Sequence, residues 1–184
     1  VQTSTKYFYV VATDYSTDTT VTITGGSDYS LANENISGQA YSYAAAPQNF
    51  PQFFNYNVGW TCNTGAAPSL GNGTLTGRFR LIGTSLLMRV FLQFGSTTTG
   101  GDGGHWQFNV PVTGLDYMYI GIAHIRDTGT NNYERHVQYY PTDFSVIKYF
   151  FGLDNSTNLL YLTHNTPFTW ANTDILTFQL EYEI

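Results

Sequence analysis

Apolar and polar residues alternate most regularly along residues 85–94, whose sequence is SLLMRVFLQF. Five apolar side chains occupy every second position and therefore share one face of an extended chain: Leu86, Met88, Val90, Leu92 and Phe94. A period of two over this length predicts a β-strand. A second strand is predicted at Thr74–Ile82, and Gly83 forms the corner between them. The pattern therefore predicts a hairpin over residues 74–94.

Shorter stretches of the same kind occur along the rest of the chain. Strands are predicted over residues 6–12, 20–24, 105–110, 117–125, 133–140, 144–151, 159–163 and 174–184. Residues 29–58 lack a period and predict a long loop with one or two short strands, pinned by aromatic residues: Phe50, Phe53, Phe54 and Tyr56. Turn-forming residues recur about every 8–12 positions. This spacing predicts an all-β, antiparallel, jelly-roll-like β-sandwich of about nine to eleven strands.

Composition fits one domain over residues 1–184, because 42% of the chain is hydrophobic and no linker divides it. Only 11% of the residues are charged, so hydroxyl and amide side chains must make the surface polar. The net charge is −6, and the nearest basic cluster, Arg78, Arg80 and Arg89, lies on predicted strands. A nucleic-acid partner requires a positive face. We therefore predict no nucleic-acid partner.

Cys62 is the single cysteine, so no intrachain disulfide can form. No apolar run approaches the roughly 20 residues of a membrane span, which predicts no membrane insertion. Val1 leads directly into polar residues and a predicted strand. We expect no signal peptide, and we expect the chain to be a fragment of a longer protein.

Motifs for catalysis or for a metal are missing from the sequence. The nucleophile motif Gly-x-Ser-x-Gly does not occur, and Cys62 has no recognisable catalytic partner. The glycine-rich segment 100–104 has one charged residue, Asp102, which is too few for a calcium loop and predicts a flexible loop tip. The histidines lie far apart in the chain: His105, His124, His136 and His164. We predict no enzyme, no cofactor and no metal.

Two outward glutamates on the last predicted strand offer an enzymatic alternative. Glu181 and Glu183 are two residues apart on one face, about 6–7 Å at the backbone, which is compatible with glycoside hydrolysis. Two such glutamates more often form a solvated strand face.

Tyrosines beside the turn at residues 126–132 are the candidate ligand-binding residues: Tyr133, Tyr139 and Tyr140. Tyrosine rings can stack on sugars while neighbouring polar groups bind the sugar hydroxyls. The alternative is that these rings fill a subunit interface or the edge of the core.

A set of glycine, aromatic and proline positions carries a resemblance to a known family. They are Trp60, Pro68, Gly71, Gly73, Thr74, Gly77, Arg78, Phe79, Gly83, residues 95–99, Trp106, Phe108, Val110 and Pro111. The chain ends on a similar set: residues 167–170, Asp174, Leu176, Tyr182 and Glu183. Over residues 57–184 the chain resembles the C-terminal jelly-roll-like domains of phage tail-fibre, receptor-binding and minor tail proteins. That family usually has glycine where this chain has Thr173.

The resemblance implies a non-catalytic domain at the tip of a virion fibre or tail. It implies a homotrimer that contacts a host-cell surface glycan or protein. Residues 57–184 would form the jelly-roll core, with the unmatched residues 1–56 packed on it or extending from it. Two alternatives stay open: a purely structural capsid or capsid-decoration protein, and a glycan-binding module or glycoside hydrolase.

Overall fold

A computed structural model describes residues 5–27, 31, 33, 35–44, 47–115, 117–139, 146–151 and 161–184. Every regular element in these ranges is a β-strand. The eleven strands are β1 Tyr9–Tyr15, β2 Thr19–Thr24, β3 Phe54–Tyr56, β4 Trp60–Cys62, β5 Thr74–Ile82, β6 Ser85–Gln93, β7 Trp106–Asn109, β8 Tyr119–Asp127, β9 Asn131–Tyr139, β10 Val146–Phe151 and β11 Ile175–Glu183. The predicted all-β fold is confirmed.

Nine of the strands form one antiparallel sheet in the order β3-β5-β6-β11-β8-β9-β10-β7-β4. Its two edge strands, β3 and β4, follow one another in the chain with only three residues between them. A flat sheet of nine strands would hold its edges about 38 Å apart. Three linking residues span at most about 14 Å. The sheet therefore folds over on itself into two layers, which confirms the predicted sandwich.

The inner faces of the two layers form the core. All four inward side chains of β6, from Leu86 to Leu92, are buried, as the alternation predicts. Across the interior, the rings of Phe108 on β7 and Phe178 on β11 lie 5.3 Å apart, although three strands separate β7 from β11 in the sheet order. The buried hydroxyl of Tyr182 donates a hydrogen bond of 2.6 Å to the carbonyl of Val112, which satisfies it inside the core.

The three tryptophans of the chain meet at one end of this core. The rings of Trp60 and Trp106 lie 4.9 Å apart, and those of Trp106 and Trp170 also 4.9 Å apart. The indole N–H of Trp106 donates to the carbonyl of Gly100 at 2.7 Å. This cluster joins β4, β7 and the segment before β11, so residues that are distant in sequence seal this end of the sandwich.

The sides of the glycine-rich loop between β6 and β7 are packed, whereas a Cβ at Gly103 would meet only open space, and the predicted flexible tip stays a prediction. The carboxylate of Asp102 accepts a hydrogen bond of 2.8 Å from the backbone N–H of Ala66. Nearby, Asn72 accepts from both the N–H and the hydroxyl of Thr97, each at 2.9 Å. A Cβ added at Gly101 would lie 2.4 Å from the carbonyl oxygen of Ala66. Glycine allows this close approach of two loops.

Strands β1 and β2 form a separate two-stranded ribbon. Its base packs on the sandwich through Tyr9, whose ring lies 4.9 Å from Phe50 and 5.2 Å from Phe54. Towards the tip, Tyr15 is 77% exposed and Val21 is 49% exposed. The predicted hairpin is present, but most of it projects from the core.

Several strand boundaries differ from the predictions by up to three residues: β1 and β8, predicted at 6–12 and 117–125, lie at Tyr9–Tyr15 and Tyr119–Asp127. The three residues of β4 are too few for a periodic pattern, and the strand was not predicted. Part of the predicted strand 159–163 lies outside the described residues, and in the described part only an isolated bridge joins Thr163 to Thr166. In the described part of the chain, no helix is long and apolar enough to cross a membrane.

Candidate functional site

The outer face of the sandwich carries the polar side chains that alternate with the core. One row of paired residues crosses five strands from β5 to β9, and it consists of Arg78, Arg89, Gln179, Ile122 and His136. The basic end of the row lies on β5 and β6, and its apolar position lies on β8. The outer face therefore presents two chemically different regions.

At the basic end, three guanidinium groups converge on one aromatic ring. The Cζ atoms of Arg78, Arg80 and Arg89 lie 5.8, 5.4 and 5.3 Å from the centroid of Phe53. Each distance is within the range of a cation–π interaction. We call these four residues the arginine cluster.

Strand pairing explains why Phe53 faces outward. The next residue, Phe54, begins β3, is fully buried and pairs with Phe79 of β5. Side chains alternate between the two faces of an extended chain, so Phe53 falls on the outer face. The edge strand β3 thus places an aromatic ring beside the arginines of the neighbouring strand.

The positive charge of the arginine cluster is not neutralised by its partners among the described residues. Arg78 and Arg89 are directly paired across β5 and β6, an arrangement in which like charges destabilise a sheet. Arg89 Nε donates to Gln179 Oε1 at 2.9 Å, an uncharged acceptor. Arg80 Nε is buried and has no hydrogen-bond partner in the described part of the chain. The cluster thus retains charge and hydrogen-bonding capacity.

The neighbourhood of Arg80 includes a tyrosine of the ribbon. Burial raises the pKa of Tyr9 above its usual value, and both a hydrogen bond with the backbone of Leu81 and the charge of Arg80 oppose that rise. The base of the ribbon therefore lies close enough to the arginine cluster to feel its charge. The electrostatic influence of Arg80 on Tyr9 connects the base of the ribbon to the arginine cluster.

The predicted tyrosines do not form one site. Tyr139 is fully buried, its ring lies 5.0 Å from Tyr182, and its hydroxyl accepts a hydrogen bond of 3.0 Å from the N–H of Gly114. Burial raises the pKa of Tyr139, and the bond from Gly114 partly opposes the rise. Because its ring is enclosed in the core, Tyr139 has no face available for a sugar. This corrects the prediction of Tyr139 as a surface ligand-binding residue.

Tyr133 is half-buried at the edge of the core, and Tyr140 lies outside the described residues. The ring of Tyr133 stacks on Phe168 at 5.5 Å, and the guanidinium of Arg135 lies 5.3 Å from its centroid. A ligand-binding role for Tyr133 and Tyr140 stays a prediction. The sequence does contain a signal for the burial of Tyr139. Tyr139 lies two positions after Val137 on β9, so the two side chains share one face of the strand, and both are buried.

The glutamates of the enzymatic alternative lie exposed on the outer face of β11, as predicted. Glu181 accepts a hydrogen bond from the hydroxyl of Ser85. These features are those of a solvated strand face. Among the described residues, no group of three or more His, Cys, Asp or Glu side chains is placed to hold a metal ion.

A groove of about 290 Å³ lies beside the seam between the two sheet edges and is lined in part by Tyr56, Asn57 and Asn109. The side chain of Asn109 accepts from the N–H of Gly59 at 2.6 Å and donates to the carbonyl of Asn57 at 3.2 Å. These bonds hold the seam together. The groove is therefore a weaker candidate for ligand binding than the arginine cluster.

The outer face becomes apolar on β8. Ile120 and Ile122 are 62% and 66% exposed, and Met118, just before the strand, is 53% exposed. Exposed isoleucines at alternate positions of a central strand form an uncharged strip. This strip adjoins the polar row and gives the outer face an apolar part.

Comparison with known proteins gives one similarity to report. The chain is 31% identical over 136 residues to the Mu-like prophage FluMu defective tail fiber protein of Haemophilus influenzae. The aligned part covers 71% of this chain and 21% of that protein, so the chain spans about a fifth of the relative's length. No protein-family model matches the chain. No solved structure matches it. The similarity supports a relationship between this chain and phage tail-fibre proteins.

Proposed function

We propose that the chain forms a non-catalytic domain at the tip of a phage tail or tail fibre and binds a receptor on the host-cell surface. The similarity to a tail-fibre protein over 71% of the chain is the observation that carries this proposal. The resemblance of residues 57–184 to C-terminal jelly-roll-like domains of tail proteins agrees with it. The receptor in this proposal is a surface glycan, because the basic end of the outer face places guanidinium and amide groups beside an aromatic ring, the groups that bind sugar hydroxyls and sugar faces.

The proposal includes a homotrimer. The apolar strip of Ile120 and Ile122 provides uncharged outer surface that a second copy of the domain can cover. Three copies also suit a fibre, because each receptor contact is then repeated and weak individual contacts add up to stable attachment. The oligomeric mass of the purified domain, measured by light scattering, tests this part, and a stable monomer contradicts it.

Immunogold electron microscopy of intact virions tests the location. Antibodies raised against residues 57–184 are expected to label the tail or fibre tip. Label on the capsid shell would instead support the structural alternative.

Adsorption to host cells tests receptor binding. The purified domain, made fluorescent, is expected to adsorb to host cells and to compete with phage attachment, without releasing sugars from the cell surface. Sugar release that is lost in Glu181→Gln would support the hydrolase alternative.

A further inference from the structure

We propose that the arginine cluster of Phe53, Arg78, Arg80 and Arg89 binds an anionic group, a carboxylate or a phosphate, of a host surface glycan. This inference rests on the proposed receptor binding and names the chemistry that the receptor presents.

Geometry is the first support. All three guanidinium groups lie within 5.8 Å of one ring centroid, so no two of them are farther apart than twice that distance. Arg78 and Arg89 are exposed on the outer face, and Arg80 is half-buried beside them. A planar guanidinium has five N–H donors in a fork that matches a carboxylate or a phosphate. Arg78 and Arg89 are also direct partners across β5 and β6, so an anion between them can receive hydrogen bonds from two strands.

Charge is the second support. The cluster gathers three of the seven basic residues of a chain whose net charge is −6. The ring of Phe53 and the carboxamide of Gln179 hold the guanidiniums in place without cancelling their charge. An external anion would relieve the repulsion between the paired Arg78 and Arg89. The cluster is thus organised before any ligand arrives, which lowers the entropic cost of binding.

The size of the cluster indicates a single anionic group. A nucleic acid requires a basic stripe that follows many phosphates. On this outer face three arginines converge only at β5 and β6, and the next member of the row is the uncharged Gln179. Such a face suits an oligosaccharide that carries an acidic group on an otherwise neutral chain.

Isothermal titration calorimetry of the purified 184-residue chain tests the inference with three defined probes. They are tetragalacturonic acid, the neutral tetrasaccharide made by reducing its carboxyl groups, and a tetramannose that carries 6-phosphate groups. We expect one or both acidic probes to bind, more weakly at high salt, and the neutral probe not to bind. Binding of the carboxylate probe alone or of the phosphate probe alone identifies the anionic group. Equal binding of the neutral and acidic probes, or binding of none, overturns the inference.

Two substitutions connect binding to the cluster. Arg89→Gln and Arg78→Gln are each expected to weaken the Kd of the acidic probe about tenfold to a hundredfold, because each removes a charge-assisted hydrogen bond. Arg126→Gln is the matched control: it removes the same charge from an exposed position on the outer face of β8. Equal weakening in Arg126→Gln shows a general charge effect and overturns the site. Both cluster residues are exposed, and circular dichroism verifies that each variant is folded.

Cell adsorption separates failure of this inference from failure of the proposed function. If wild type and Arg89→Gln adsorb equally to host cells, receptor binding stands and the arginine cluster is not its site. If the acidic probe binds through the cluster but the domain adsorbs to no host cell, the anion site stands and the proposed receptor function fails.

Discussion

Two of the hairpins in the molecule, β5-β6 and β1-β2, have similar local structure and very different surroundings. β5 and β6 pair at nine consecutive positions and lie between β3 and β11 in the large sheet. β1 and β2 pair at six positions with one irregularity, and they form a sheet of their own. One face of the first hairpin packs into the core, whereas the second hairpin is exposed beyond its base. The difference shows that pairing defines a hairpin, while neighbouring strands determine how much it stabilises the fold.

Matched aromatic truncations give the largest expected contrast between the hairpins. Phe79→Ala on β5 removes a fully buried ring and is expected to lower the free energy of unfolding by about 3–5 kcal/mol. Tyr15→Ala on β1 removes a ring that is 77% exposed and is expected to change it by less than about 0.5 kcal/mol. Urea unfolding of both variants measures the difference. Equal losses would mean that the ribbon is covered in solution.

A buried carboxylate, that of Asp174, joins the turn after β8 to the segment before β11. Asp174 accepts hydrogen bonds from the backbone N–H groups of Thr128 and Ala171, at 2.9 and 2.7 Å. Asp174→Ala leaves both donors without this partner and is expected to cost about 2–4 kcal/mol. Asp18→Ala, in the exposed turn of the ribbon, is the control and is expected to be close to neutral. Thermal unfolding of the pair checks this prediction, and a neutral Asp174→Ala contradicts it.

Alkaline pH is expected to weaken the large sheet through its buried phenols. Burial raises the pKa of Tyr182 above its usual value of 10.0, so the neutral phenol is favoured in the folded chain. The stability from this group is complete below pH 10 and is lost as pH rises, because the unfolded phenol ionises first. The loss is at most about 1.4 kcal/mol per pH unit for this tyrosine.

Tyr182→Phe isolates that contribution. The variant lacks the hydrogen bond to Val112 and is expected to be about 1 kcal/mol less stable than wild type at neutral pH. Above pH 10 its stability is expected to fall less steeply, so that the two curves approach each other. Urea unfolding at several pH values measures both curves, and parallel curves would exclude the effect.

The smallest expected effect is a gain at the loop before β11. Thr173 has a φ of 74°, a left-handed conformation that costs a β-branched residue about 1–2 kcal/mol. Thr173→Gly relieves this strain, but it also adds freedom to the unfolded chain. The expected net gain is about 0.5–1 kcal/mol, measured by urea unfolding. Thr173→Ala retains a Cβ and serves as the control. An equal gain in stability in both variants would contradict the claim that the left-handed conformation strains Thr173.

Local alternation predicted the strands that form the centre of the sheet. The inward residues of β6 and β11 follow a period of two and are buried in both strands, although Leu87 on the opposite face of β6 is buried as well. The same alternation in β2 predicted a strand correctly, yet Val21 and Ile23 remain exposed. A strand sequence specifies which residues share a face, but other segments decide whether that face is covered.

The candidate site could not be predicted from local sequence patterns, because it is formed by contacts between segments that are distant in the chain. The arginines were recognisable as a basic group, but their convergence on Phe53 requires β3 to pair with β5. The packing of the glycine-rich loop likewise requires Ala66 and Asp102 to meet, although 36 positions separate them in the chain. These features arise from the fold of the whole sheet. The burial of Tyr139 is different, because the alternation of side chains along β9 places it on the same face as Val137.

The seam between β3 and β4 also has a consequence for self-association. Exposed sheet edges offer unpaired backbone groups that can recruit strands of other chains and start aggregation. Here each edge strand has only three residues, and Asn109 hydrogen-bonds to the segment that joins them. Little edge of the large sheet is left to act as a template for another copy, whereas both strands of the ribbon are edge strands. Any strand exchange between neighbouring copies is therefore expected at the ribbon and not at the large sheet.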